Sequence, residues 1–161
     1  MIGRLREAVL WLGAGLGALC IVWTLGILVS GVTPLVFTSG SMSPAIAAGD
    51  LGFARTIDAS EIEVDDVVSV VNAKDVRVTH RVIDVQHEGK TAVLRLQGDA
   101  NQIPDDELYT VTEAERIWFS VPKLGYVVKG ASSQYGMFAG GMLVAVVLML
   151  AMRPRPAGVA E

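Results

Sequence analysis

The chain has 161 residues, room for about one domain of ordinary size, so an elaborate multidomain architecture is excluded. Apolar residues make up 52% and charged residues 19%, which excludes intrinsic disorder and points to apolar surface in contact with lipid. The net charge of -4 gives no basic footprint for nucleic acid, and the lone Cys20 allows no intramolecular disulfide or cysteine-based metal site.

Residues 1–7 carry Arg4 and Arg6, after which no Asp, Glu, Lys or Arg occurs from Ala8 to Gly49. Ala8 to Val29 alone gives 22 mostly apolar residues, which at about 1.5 Å per helical residue cross a hydrocarbon core of about 30 Å. A transmembrane helix is therefore predicted over residues 8–30. A cleavable secretory signal is the rival reading, but its apolar region is shorter, about 7 to 15 residues. A second charge-free run, 130–152, is predicted to span as well; it is bounded by Lys129 on one side and by Arg153 and Arg155 on the other. Basic residues outside both spans place the two termini, 1–7 and 153–161, in the cytoplasm. Trp11 and Trp23 are candidate interfacial anchors.

Between the spans, residues 38–129 hold 9 Lys and Arg against 15 Asp and Glu, a net of -6, and belong across the membrane. Asp66–Val71 is a β-branched run, Val76–Val85 alternates cleanly, and Thr91–Leu96 alternates more loosely. Turn-forming residues separate them at Asn72–Asp75 and His87–Lys90, and weaker strand patterns follow at Glu107–Thr112 and Ile117–Val121. The fold expected is mainly β, a small barrel or sandwich flanked by N-terminal and C-terminal transmembrane helices, with no helix in the polar segment.

Chemistry centres on Thr38-Ser-Gly-Ser-Met-Ser-Pro-Ala-Ile46, just after the first span. A serine there becomes a nucleophile only if a base reaches it, and taken alone Ser41 reads as a turn serine. Of the two histidines, His87 falls in a polar turn. His80 shares the inward strand face with Val76, Val78 and Val82, where burial favours the neutral ring that a general base requires. A carboxylate usually fixes such a ring's tautomer, and Asp99, Asp105 and Asp106 follow the strand that ends near Leu96. This acidic stretch lacks the D-x-[DN]-x-[DN]-G order of a calcium loop, so neither metal nor cofactor is expected. Lys74 sits in a polar turn and is set aside as a base.

The order apolar span, Ser39-Gly-Ser-Met-Ser-Pro44, Gly49-Asp50, His80-Arg-Val82 and Gly98-Asp-Ala-Asn101 resembles type I signal peptidase of the ER type. The resemblance implies a membrane-bound serine endopeptidase that removes signal peptides from exported preproteins through an acyl-enzyme. It implies Ser41 as nucleophile and His80 as general base, where bacterial-type members have lysine. Asp99 and Asp105 match the family's aspartates, although Asp106 adjoins Asp105 and only spacing separates the two. Ser39, Ser41 and Met42 are the expected oxyanion and substrate-binding residues. Many ER-type relatives read Gly-Asp-Asn-Asn where this chain has Gly-Asp-Ala-Asn. The implied partners are signal peptides of secretory preproteins, the lipid bilayer and accessory membrane subunits, with the active site on the extracytoplasmic or ER-luminal face. Two alternatives are a processing protease of the same fold with few substrates and a non-catalytic membrane-tethered β domain that binds a partner.

Overall fold

The computed structural model describes residues 2–152, so the tail expected at 153–161, with Arg153 and Arg155, lies outside the described residues. The chain forms two compact units, one made of the segments up to Gly26 and from Gly130 onward, the other of Ile27–Lys129.

In the first unit, helix α1 (Ile2–Ser30) contains a 24-residue segment, Glu7–Ser30, apolar enough to cross a membrane and with none of it buried in protein. Trp11 and Val29, 78% and 87% exposed, show apolar side chains pointing outward along its length. Its hydroxyls are satisfied internally: Thr24 Oγ1 donates to the Cys20 carbonyl and Ser30 Oγ to that of Ile27. Gly31, at φ 65°, ends the helix in the left-handed conformation.

The second hydrophobic run departs from a single straight span. Helix α2 (Leu124–Ala131) begins inside the polar segment, where no helix was expected, and α3 (Gln134–Met152) follows after a break at Ser132-Ser133. Ser133 Oγ accepts the Gly136 N–H at 3.1 Å, capping the new helix. The two helices meet the length and hydropathy of a span only as a bent pair.

The polar unit holds seven antiparallel strands: β1 (Val32–Val36), β2 (Leu51–Asp58), β3 (Val67–Val71), β4 (Arg77–Glu88), β5 (Thr91–Gln97), β6 (Tyr109–Val111) and β7 (Glu113–Val121). Their order, β1-β2-β7-β3-β4-β5-β6, is one sheet curled into a half-barrel, and not the closed barrel or two-sheet sandwich that the alternation suggested. Pro34, which cannot donate to a ladder, sits on the edge strand β1. The concave core packs Ile57, Ile62, Val68, Val82, Leu94 and Leu96, the last five fully buried.

Strand β4 changes neighbours halfway along. Arg81–Glu88 pair with β5, but Arg77, Val78, Thr79 and His80 pair with β3 alone. Their other edge is open, and an open edge is where an extended peptide adds itself to a sheet.

Candidate active site

Residues 37–50 form a loop closed at its neck, where Phe37 N–H donates to the Asp50 carbonyl and Gly49 N–H to that of Phe37, at 3.0 and 2.7 Å. Met42 and Ile46 sink from this loop into a small cluster with Phe37 and fasten it to the sheet. Met42, expected as a substrate-binding residue, is 1% exposed and packs in this cluster. Anchored from below, the loop presents Ser39, Gly40 and Ser41 at the surface.

The neck rests against the start of α2. Asp50 accepts the backbone N–H groups of Ala47 and Lys123, at 2.9 and 3.0 Å, and these donors hold its carboxyl below the usual range. The Tyr126 ring covers Gly49, which has φ 90° and whose Cβ, if present, would lie 1.9 Å from the ring. Because folding lowers the Asp50 pKa, the stability it contributes is present above the unfolded value of 3.8 and is lost as pH falls through the folded one. Asp50→Asn is therefore expected to melt at a lower temperature than wild type at neutral pH. The difference should close as acidification passes 3.8, which melting curves across that range will read.

The Gly98–Asn101 turn reaches the serine loop from the other side. Ala100 N–H donates to the Ser41 carbonyl at 2.8 Å, and a Cβ at Gly98 would stand 2.7 Å from the same oxygen. Within this turn Asp99 takes the Arg81 guanidinium as a two-pronged fork, Nε to Oδ1 at 2.8 Å and Nη2 to Oδ2 at 2.7 Å. Arg81 also donates through Nη1 to the Asp65 carbonyl, and the Asp99 hydrogen bond raises its pKa further. The turn thereby joins strand β4 to the serine loop.

His80 precedes Arg81, and adjacent strand residues point to opposite faces, so one aspartate cannot serve both. Asp105 serves His80: its Oδ2 lies 2.7 Å from His80 Nδ1, both side chains being 12% exposed. Asp105 N–H donates to the Leu96 carbonyl at 2.9 Å, which holds the carboxylate in place. The carboxylate assigns the ring proton to Nδ1 and leaves Nε2 as the free acceptor. Asp106 is exposed, His87 is exposed near the far end of β4, and Val76 stands 53% exposed before the strand begins.

Ser39, Ser41, Val78, Thr79, His80 and Asn101 line a single cavity of about 410 Å³ beside the open edge of β4. Ser41 Oγ lies 3.2 Å from Ser39 Oγ, and among the described residues it makes no hydrogen bond to His80. A second cavity, of about 590 Å³, adjoins the far side of His80 and is lined by Lys74, Ile103, Asp105 and Glu107 among others. Sequence reasoning passed over Tyr109, whose hydroxyl donates to Asp105 Oδ2 at 3.0 Å from a strand of three residues. Its position four residues after Asp105, on the edge of an alternating pattern, was the only available signal.

No family model matches the chain. It is similar to the signal peptidase complex catalytic subunit SEC11 of Scheffersomyces stipitis, 29% identical over 143 residues that cover 80% of this chain and 86% of the relative. SEC11 of Candida albicans is 33% identical over 87 residues and that of Fusarium vanettenii 40% over 88, in each case covering 53% of this chain and about half of the relative, 52% and 51%. These matches are homology, over most of the chain, to SEC11, by name the catalytic subunit of the signal peptidase complex, and the apolar N-terminal helix and the serine loop beside a histidine strand accord with them.

Proposed function

We propose that Ser41 is the nucleophile and His80 the general base with which this homologue of signal peptidase removes signal peptides from exported preproteins. The observation that carries this reading is the shared cavity, in which Ser41 and the Asp105-held ring of His80 face the open edge of β4. The segment before the cut lies along Arg77–His80 as an added strand, its carbonyl over Ser41. Serine rotation exchanges the Ser39 contact for His80 Nε2. Ser41 Oγ then attacks the carbonyl as its proton passes to Nε2, and collapse of the tetrahedral adduct expels the amine, which takes that proton. Water attacks the ester, gives its proton to Nε2, and Ser41 recovers it as the leader departs. The Ser41 N–H and the Ser39 hydroxyl hold the oxyanion, each donor contributing about 3 to 4 kcal/mol.

In this reading the β unit and its site lie on the extracytoplasmic face and both termini in the cytoplasm. Small residues before the cut fit the site, and because side-chain size alone discriminates by only about 1 to 3 kcal/mol per methylene, presentation at the membrane supplies the remaining selectivity. The relatives are subunits of a complex by name, and accessory membrane subunits are proposed here as well.

The test is to incubate the purified full chain, in detergent with lipid, with a preprotein and to read the products by mass. One cut after an A-x-A-type sequence is expected. An uncut preprotein, or cuts scattered through the mature part, would overturn the reading, and a terminal tag digested by protease from outside intact cells would overturn the topology.

A further inference from the structure

We propose that Tyr109 is a positioning residue for the reaction, holding Asp105 so that His80 presents Nε2 to the nucleophile. The inference rests on the roles proposed above for His80 and Asp105.

Two donors converge on one oxygen. Asp105 Oδ2 accepts from His80 Nδ1 at 2.7 Å and from the Tyr109 hydroxyl at 3.0 Å. Tyr109 is 6% exposed and its ring belongs to the main apolar cluster, with Leu94 and Leu96, so the hydroxyl is carried on a platform that does not move with solvent. A buried hydroxyl without a partner is costly, and the Tyr109 hydroxyl finds its 3.0 Å partner in this carboxylate. Strand β6 is three residues long, and pairing with β5 fixes Tyr109 opposite Leu94. The phenol stays protonated: burial first, then the hydrogen bond to Asp105, push its pKa far above 10, so it donates at any working pH.

The arrangement divides the negative charge of Oδ2 between two donors. The other charged groups at this end of the cavity are Lys74 from the β3–β4 turn and Asp106 and Glu107 from the loop before β6, while Arg81 is engaged by Asp99. Of these, Glu107 also acts on the Tyr109 hydroxyl, more weakly than Asp105 does. Without that hydroxyl, the carboxylate loses one of the contacts that orient it toward His80 Nδ1.

Tyr109→Phe keeps the ring and its packing and removes only the donor. In the full chain, with a preprotein substrate, kcat is expected to fall about 10- to 150-fold with KM unchanged, the factor of one hydrogen bond to a charged group. On an Asp105→Asn background the same substitution should have little further effect, because the partner is already altered. Melting curves establish that each variant is folded, and Tyr109→Leu, which removes ring and donor together, should lose at least as much kcat. A Tyr109→Phe kcat equal to that of wild type, or an equal loss on the Asp105→Asn background, overturns the inference. If Asp105→Asn itself has wild-type kcat, the proposed role of Asp105 at His80 falls with it.

Discussion

Ser41→Ala is expected to reduce preprotein cleavage by about a millionfold, to the level left by binding and by the remaining oxyanion donors. Alanine has no oxygen to form the ester, so nothing else in the cavity can substitute for the lost step. The loss belongs to chemistry and not to folding. Met42 and Ile46 anchor the loop, and Ala100 N–H holds it through the Ser41 carbonyl, which alanine keeps. The melting temperature should therefore stay close to that of wild type. His80→Ala should cost about as much, and the double variant should cost little more, because the pair acts as a unit. Ser39→Ala separates a second role: loss of one oxyanion donor predicts about a 100- to 1,000-fold fall in kcat. Rates of product formation at saturating preprotein check all four, and Ser41-independent cleavage would sink the nucleophile assignment outright.

What the sequence could disclose of this site follows from the range over which its signals act. Alternation along β4 put His80 on the inward face, while Asp99, Asp105 and Asp106 were read as one loop after the strand that ends near Leu96, with only spacing to choose among them. Local signals failed at β1 and β2. Strand β1 continues directly from the apolar run of α1, with only Gly31 between, so hydropathy has no boundary to mark there. Strand β2 begins with four buried residues in succession, which is not an alternating pattern. Helix α2 was missed because most of its eight residues fell in the polar segment, where no helix was expected, and the break at Ser132-Ser133 was read as part of a span. The partner of Asp99 was invisible for another reason. Asp99 and Asp105 stand in one loop, and which of them meets His80 depends on the opposite faces taken by His80 and Arg81, a matter of pleat and register.

That division of labour yields the second large effect. Asp105→Asn is expected to lower kcat by about 10,000-fold with little change in KM, since Asp105 does not line the cavity proposed to hold the segment before the cut. The amide is nearly the same size as the carboxylate, so packing survives and hydrogen-bond direction changes. His80 and Tyr109 meet the same oxygen, Oδ2, so an amide oxygen in that place keeps both contacts without the charge, whereas an NH2 group in that place donates to His80 Nδ1. A donor there requires Nδ1 to accept, the ring proton moves to Nε2, and the atom facing Ser41 can no longer take a proton. Asp99→Asn acts differently: the fork on Arg81 loses one acceptor, the link between β4 and the serine loop loosens, and the expected loss is about 10-fold in kcat with a lowered melting temperature. Steady-state kinetics on the two folded variants decide between them. Should Asp99→Asn prove the more damaging at equal folded fraction, the residue that orients the histidine would be Asp99, and the 2.7 Å contact between His80 and Asp105 would have no part in the reaction.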